Sequence, residues 1–393
     1  MEKILLNIAL ILIFTRIASL ISIHFKMPGV LGELIAGVIL GPVVLNLIQQ
    51  NADIKLLSDL GVIFLMFLAG IETNLEELKK AGKTSFFIAC GGVIVPLILG
   101  TLSAYMFFSN FWENLFVGVI LTATSVSISV QTLTELGKLN TRAGINILGA
   151  AVIDDVLGLI LITVVLAASG GAKAGGSSSL LLTFINIAIF CVVSILAILF
   201  LPKPIDKLTQ KFKPQRGLAL FAIAAALICA FAAEKLGIAA ITGAYICGLV
   251  LSPIKHKEYI EKRIKVISGS LLSPIFFASV GISANIKGLN TEALLITLAM
   301  FVIAVIGKVV GCGGAALGFK FKKSEALQIG VGMISRGEVA IITANMGLQA
   351  KIISEEVFLP TLIVVILSTI ITPVLLKIVF SHKTDKNIDK VTA

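Results

Sequence analysis

The chain has 393 residues, of which 57% are hydrophobic and only 14% are charged, and its mean hydropathy is +1.05. Soluble domains carry about 25% charged residues, so this composition excludes an ordinary soluble protein and indicates a polytopic membrane protein. The formal net charge of +10 is a feature that nucleic-acid-binding proteins share, and its distribution along the chain decides between the two classes.

Thirteen apolar stretches, named spans 1 to 13, are long enough to be predicted as membrane helices. They cover residues 4–23, 29–48, 57–72, 84–108, 113–134, 141–168, 180–201, 216–233, 236–252, 267–282, 291–318, 325–347 and 357–380. Several contain Gly or Pro, which membrane helices tolerate better than soluble helices do. We therefore expect an all-α polytopic fold with about 13 transmembrane helices.

Lysine and arginine residues are distributed very unevenly over the loops between the spans. Counted in alternate loops, 23 lie on one side and 6 on the other, while Arg16, Lys308 and Arg336 lie within spans. The positive-inside rule then predicts an outside N-terminus and a cytoplasmic C-terminus, in the plasma membrane of a bacterial or archaeal cell. The basic charge is thus a topology signal, and we expect no nucleic-acid partner.

An internal repeat becomes visible when the sequence is shifted by 211 residues. The end of span 2, residues 36–42, aligns with residues 247–253 of span 9, and residues 70–74 of span 3 align with residues 281–285 of span 10. The shift pairs each span with the one seven places later, and because seven is odd the two copies cross the membrane in opposite directions. This pattern predicts a 6+1+6 inverted repeat with span 7 as linker, an arrangement typical of secondary transporters.

Spans 5 and 12, which the repeat pairs, each contain a polar stretch near the middle. Span 5 reads Thr-Ala-Thr-Ser-Val-Ser-Ile-Ser at residues 122–129, and span 12 reads Gly-Met-Ile-Ser-Arg-Gly-Glu at residues 332–338. Such residues make a poor helix centre. We predict two discontinuous helices that cross near the bilayer centre, with their half-helix ends facing each other.

Two adjacent aspartates, Asp154 and Asp155, lie in the middle of span 6. An ionised carboxylate at that depth costs at least about 2.5–3.5 kcal/mol, and an acid there is by default an ion or proton site. Neighbouring residues point about 100° apart on a helix, so one aspartate should face the ion and the other a partner. Lys308, deep in span 11, needs a carboxylate. The alternative is an Asp–Lys pair that only holds two helices together, which leaves the second aspartate without a role.

The polar residues of the two interrupted spans supply further candidates. Thr124, Ser125 and Ser127 offer neutral oxygens of the kind that Na⁺ prefers, although each hydroxyl can instead bond to its own helix. Arg336 and Glu338 are two residues apart and would face different ways on an intact helix. We favour a structural role for both at the helix break, and the alternative for Glu338 is to guide cations or protons.

The stretch Thr-Ala-Thr-Ser-Val-Ser, the motif Ile-Asp-Asp-Val-Leu-Gly and the later Gly-Lys-Val-Val resemble the second family of bacterial monovalent cation:proton antiporters, in particular its electrogenic sodium/proton antiporters of the NapA type. The likeness covers nearly the whole chain. It implies that Asp155 is the main ion carrier, that Asp154 pairs with Lys308, and that the two aspartates together hold Na⁺. Potassium-efflux relatives typically carry Gln-Asp at this pair and add a nucleotide-binding domain, and both departures favour sodium over potassium.

The same resemblance implies a homodimer in the lipid bilayer, with a rigid dimerisation scaffold and a core that moves like an elevator. The implied division assigns residues 1–83 and 216–290 to the scaffold, 84–168 and 291–380 to the core, 169–215 to the linker and 381–393 to a cytoplasmic tail.

The function expected from the sequence is secondary active Na⁺/H⁺ antiport, with Na⁺ and H⁺ competing for Asp155 and one net charge moved per cycle. The transported ions are the substrates, with Li⁺ or K⁺ as alternatives to Na⁺, and neither a cofactor nor enzymatic activity is expected. The alternatives are K⁺/H⁺ antiport, sodium-coupled symport of an organic anion, and a cation channel.

Overall fold

The computed structural model describes residues 2–169, 176–211, 216–283 and 291–381, and every regular element in these residues is helical. The elements are α1 (Glu2–His24), α2 (Gly29–Leu40), α3 (Ala52–Glu72), α4 (Leu75–Ala104), α5 (Phe111–Thr122), α6 (Val126–Glu135), α7 (Arg142–Ala168), α8 (Gly176–Phe200), α9 (Pro202–Lys211), α10 (Arg216–Lys235), α11 (Ala240–Leu251), α12 (Lys257–Ile267), a π-helical turn (Ser268–Leu272), α13 (Ser273–Ile282), α14 (Thr291–Gly318), α15 (Lys323–Gly332), α16 (Glu338–Gln349) and α17 (Glu355–Ser381). The all-α prediction is confirmed.

Each of the thirteen predicted spans corresponds to helical structure. Within the described residues, ten helical stretches are long and apolar enough to cross a membrane, and three shorter apolar helices complete the set. The prediction was wrong about the length of span 2, because α2 ends at Leu40 although apolar residues continue beyond it. Gly41 is extended and precedes Pro42, and a residue before proline is disfavoured in the helical region.

Two further differences concern the loops. The short helix α9 follows directly on α8 and was not predicted, because its alternating basic and apolar residues do not form a membrane span. Span 10 is preceded by α12, which is joined to α13 through the π-helical turn. Both additions place polar helix surface next to membrane helices without changing the number of spans.

The internal repeat is visible in the helix bounds and in the helix packing. Helices α2 and α11 are both 12 residues long and begin and end 211 residues apart. Packing pairs recur in the same order, since α1–α2, α4–α5 and α4–α7 in the first copy correspond to α10–α11, α14–α15 and α14–α17 in the second. The linker helix α8 lies between the copies, which gives the predicted 6+1+6 arrangement.

The helices pack mainly within two sets, which we name the scaffold group (α1–α3 and α10–α13) and the core group (α4–α7 and α14–α17). Contacts between the groups run chiefly through α2, α3, α6 and α17, while α8 contacts both α7 and α11. Inside the core group, α4 and α14 approach each other at Gly91 and Gly311, where a side chain on either glycine would overlap the other backbone. Small residues permit such close packing in membranes, where lipid removes the hydrophobic driving force.

The two groups are hydrogen-bonded at the face that carries most of the basic loops, named the lysine-rich face. Helix α2 begins after Pro28 with no side-chain cap from its own sequence. The missing cap comes from the core group, because Glu135 of α6 accepts the N–H of Gly29 at 2.6 Å and also that of Val30. At the same face the side chain of Asn140 donates to a carbonyl at the end of α3.

Replacing Glu135 with Ala should destabilise the protein, because the first N–H groups of α2 lose their acceptor. We expect a loss of about 1–2 kcal/mol, the range measured for other helix caps. Thermal unfolding of the purified protein in detergent measures it. Glu135→Gln keeps one acceptor oxygen and should lose less, whereas wild-type unfolding of both variants would contradict the capping role.

Candidate ion-binding site

The two interrupted helices cross at their breaks, and each provides hydrogen-bond partners for the free backbone groups of the other. Residues 123–125 separate α5 from α6, and residues 333–337 separate α15 from α16. The N–H of Ser125 donates to the carbonyl of Ser335 at 2.7 Å, and the Ser335 hydroxyl donates to the carbonyl of Ser125 at 2.6 Å. Ser129 adds a bond from its hydroxyl to the last carbonyl of α15 at 2.6 Å. The predicted crossing of two discontinuous helices is confirmed.

Arg336 supplies hydrogen-bond donors to two carbonyls at the breaks and to one carbonyl of α14. Its side chain is 1% exposed, and its guanidinium donates to the carbonyls of Ile334 and Leu121 at 2.7 Å each and of Ala304 at 3.2 Å. Leu121 is in the last turn of α5, so the cation lies at the negative end of a helix dipole. These contacts support the structural role that the sequence favoured for Arg336.

Hydroxyl groups of α17 hold the backbone of the second break. The N–H of Arg336 donates to Ser368 Oγ at 3.2 Å, and Thr369 Oγ1 donates to the carbonyl of Arg336 at 2.6 Å. The next residue, Gly337, lies against Ser125, whose hydroxyl would collide with any larger side chain there. The side chain of Glu338 lies outside the described part of the chain, so its predicted role remains a prediction.

Asp154 and Lys308 form a buried ion pair between α7 and α14. Lys308 Nζ lies 3.2 Å from both carboxylate oxygens of Asp154. The side chain of Asp154 is 3% exposed and that of Lys308 is 0% exposed. Gly92 of α4 lies beside the ammonium, and a larger residue there would collide with Cys312 of α14. The Asp154 carboxylate also interacts with Thr124 and lies within electrostatic reach of Arg336. The structure therefore brings together the pair that the sequence predicted.

Asp155 faces away from this pair, towards the scaffold group. Its side chain is half-buried, and the hydroxyl of Thr242 on α11 donates to its Oδ2 at 3.2 Å. The two aspartates thus have different surroundings, as their spacing on a helix requires. Asp154 is closed in by cations of the core group, whereas Asp155 lies where the two groups meet.

A cavity of about 260 Å³ separates the two groups on the side opposite the lysine-rich face. The scaffold group contributes Gln50, Lys55 and Asp59 to its wall, and the core group contributes Asn345 together with the first residues of α6. All three predicted hydroxyl residues line it: Thr124, Ser125 and Ser127. Thr124 also interacts with Asp154, so one residue of the cavity wall contacts the charged pair.

Sequence reasoning missed two residues of this constellation. Ser335 closes the backbone crossing and was passed over within a stretch recognised as polar. Thr242 carried no signal, because most membrane threonines bond to their own helix and nothing distinguishes this one until α7 and α11 are brought together.

The side chains that can offer oxygen ligands to a cation here are hydroxyls and carboxylates. In the described residues no group of three or more His, Cys, Asp or Glu side chains is placed to hold a metal. Carboxylate and hydroxyl oxygens are the ligands that hard cations prefer, and the cavity wall offers the hydroxyls of Thr124, Ser125 and Ser127.

Removing one member of the Asp154–Lys308 pair should cost more than removing both. Lys308→Met leaves an unpaired buried carboxylate, for which we expect a loss of about 3–5 kcal/mol. In the double variant Asp154→Asn, Lys308→Met no lone charge remains, so its loss should be well below the sum of the single losses. Unfolding in detergent of the wild type, the two single variants and the double variant measures this coupling. Losses of unfolding free energy that simply add would contradict a direct pair.

Comparison with known proteins places these features in a family. Residues 9–382 match the sodium/hydrogen exchanger family, which is described as transmembrane. The Na⁺/H⁺-K⁺ antiporter GerN of Bacillus cereus is 39% identical over 380 residues, covering 96% of each chain. The Na⁺/H⁺ antiporter of Enterococcus hirae is 34% identical over 370 residues, covering 94% of this chain and 96% of the relative.

A solved structure shares the fold at much lower identity. The sodium proton antiporter MjNhaP1 of Methanocaldococcus jannaschii at pH 8 is 18% identical and superimposes with a TM-score of 0.69, covering 95% of this chain and 96% of that one. The chain therefore belongs to the sodium/hydrogen exchanger family, a family of membrane transporters and not of enzymes.

Proposed function

We propose that this protein is a secondary active antiporter that exchanges Na⁺ for H⁺ across a bacterial plasma membrane. The observation that carries the proposal is the pair of adjacent aspartates in the middle of a membrane helix, one locked to Lys308 and the other facing the boundary between two helix groups. Family membership and the antiporter names of the relatives support it.

Asp155 is the ion carrier in this proposal. A carrier must be reached from water and must change its occupancy, and Asp155 is the more exposed of the two aspartates. Asp154 has both oxygens engaged by Lys308, so it is less available to a cation. When Na⁺ occupies Asp155, it displaces a proton from the same carboxylate, and this competition couples the two flows. Thr124, Ser125 and Ser127 complete the oxygen ligands.

The two helix groups provide the alternating access. The core group carries the aspartates and moves as an elevator against the scaffold group, which forms a homodimer in the bilayer. Contacts between the groups at the lysine-rich face and the cavity at the opposite face support a state that is closed on one side and open on the other. If the basic loops face the cytoplasm, as the positive-inside rule favours, this state is open to the outside and the C-terminus is cytoplasmic.

Potassium is the second candidate cation, because the relative GerN is named a Na⁺/H⁺-K⁺ antiporter. Parallel uptake of ²²Na⁺ and ⁸⁶Rb⁺ into proteoliposomes separates the two. Sodium preference predicts that excess K⁺ leaves ²²Na⁺ uptake unchanged, and strong competition by K⁺ would favour the alternative.

Replacing Asp155 with Asn should abolish exchange, because an amide neither takes up a proton nor binds Na⁺ as a carboxylate does. The measurement is ²²Na⁺ efflux driven by a pH gradient in proteoliposomes. Asn146→Asp serves as a matched control, because it adds a carboxylate elsewhere on α7, at a position that accepts a hydrogen bond from Thr84. When Asn146→Asp is combined with Asp155→Asn, exchange should still be lost. Full activity of Asp155→Asn would refute the assigned carrier.

Lys308→Gln should make any remaining exchange electroneutral. In the proposed cycle Na⁺ draws Asp154 away from Lys308, and the lysine then releases a second proton, so that two protons exchange for one Na⁺. Glutamine has no proton to release, and transport should no longer generate current. Currents on solid-supported membranes test this, and a current per Na⁺ equal to that of the wild type would contradict the role of Lys308.

A further inference from the structure

The contact between Thr242 and Asp155 joins the ion-carrying helix to the opposite helix group. Thr242 is the third residue of α11, is 2% exposed, and belongs to the scaffold group. Its hydroxyl donates to Asp155 Oδ2 at 3.2 Å across 87 positions of sequence. The proposed elevator movement carries Asp155 past α11, so this bond has to break in every transport cycle.

The Thr242 hydroxyl does not donate to a carbonyl of its own helix, which is the usual bond of a threonine in a membrane helix. Buried threonines in such helices usually donate to a carbonyl three or four residues earlier, as Thr15, Thr297, Thr343 and Thr361 all do here. Thr242 stands in the first turn of its helix and donates to a carboxylate of the other group instead. Its hydrogen is therefore used for a contact between groups rather than within a helix.

The position of Thr242 also brings the N-terminus of α11 close to Asp155. The residue before this helix, Ala239, provides no side-chain cap, so the first N–H groups leave a partial positive charge there. A hydroxyl that donates to an ionised carboxylate forms a stronger bond than one between neutral groups. Both effects favour Asp155 when it is negative and weaken when a proton or Na⁺ neutralises it.

We propose that Thr242 is a positioning residue that holds the empty, ionised Asp155 against the scaffold group, so that the core group moves only when the carboxylate is loaded. The inference rests on the proposed function, in which Asp155 is the carrier. An antiporter stays coupled only if its empty carrier does not cross, since an empty return would let Na⁺ flow without a proton. The Thr242 bond provides that restraint, and either substrate releases it by neutralising or occupying the carboxylate.

The test is the number of protons exchanged per Na⁺ in proteoliposomes containing the Thr242→Val variant. Valine keeps the shape of threonine and removes the donor. Efflux of ²²Na⁺ is driven by an outward Na⁺ gradient while an internal pH dye counts the protons that enter. Losing a hydrogen bond to a charged group corresponds to about a tenfold easier release of the empty carrier. We expect Na⁺ efflux without matching proton entry, so the proton-to-sodium ratio falls clearly below that of the wild type.

A second readout is the apparent KM for Na⁺, which the bond raises because the hydroxyl competes with Na⁺ for the same oxygen. Thr242→Val should lower this KM severalfold, an effect that a purely structural role does not predict. Thr242→Ser restores the donor and should restore the ratio and the KM. Thr297→Val is the matched control, since Thr297 is equally buried and bonds only to its own helix in the contacts described.

The outcomes separate this inference from the proposed function. If Asp155→Asn is inactive but Thr242→Val keeps the wild-type ratio and KM, the role of Thr242 is overturned and the carrier remains. If Asp155→Asn still exchanges, the proposed function itself fails. Should Thr242→Val not fold, as judged by thermal unfolding, Thr242→Ala carries the same test with a smaller side chain.

Discussion

The backbone groups that a broken membrane helix exposes must find partners inside the protein, because lipid offers none. This constraint explains how the chain tolerates two broken helices at the same depth. Each break exposes backbone donors and acceptors, and placing the breaks against each other lets Ser125 and Ser335 exchange two hydrogen bonds. Arg336 then supplies donors to carbonyls at the ends of the half-helices. Broken helices without these hydrogen bonds would be strongly disfavoured, because their backbone groups would remain unpaired in lipid.

The same constraint shows why the two halves of the repeat carry different chemistry. At the 211-residue offset, Asp154 and Asp155 correspond to Val365 and Ile366, and Lys308 corresponds to Leu97. The backbone breaks occur in both copies, whereas the buried charges occur once. A second set of buried charges would require its own partners. A repeated fold with two helix breaks but a single charged site therefore has the lower desolvation cost. In this respect the fold is symmetric and the site is not.

What the sequence could predict follows from the strength of each signal. Long apolar spans, a constant offset and polar stretches in mid-span gave the helices, the repeat and the crossing, because lipid restricts a spanning segment to few solutions. That Lys308 needs a carboxylate was predictable because a lone buried ammonium is costly, whereas the choice of Asp154 over Asp155 came from the family resemblance. The roles of Thr242 and Glu135 were not predictable, because both bonds connect different helix groups, 87 and 106 positions apart, through residue types common in any helix.

The length of α11 determines which part of this helix contacts Asp155. At about 1.5 Å per residue, its 12 residues extend about 18 Å, well short of the roughly 30 Å of a bilayer core. Asp155 lies at the middle of the 27-residue α7, yet it contacts the first turn of α11 rather than its centre. The short helix α11 thus begins beside Asp155, where its uncapped N-terminus favours an anion.

The repeat-related helix α2 begins in the same way and meets Glu135, but there the carboxylate accepts backbone N–H groups directly. That contact provides a helix cap, which a cation cannot replace. By contrast, Thr242 contacts Asp155 through a side-chain hydroxyl and not through backbone N–H groups. The same architectural element therefore links the two helix groups through α2 and, in our proposal, holds Asp155 reversibly through α11.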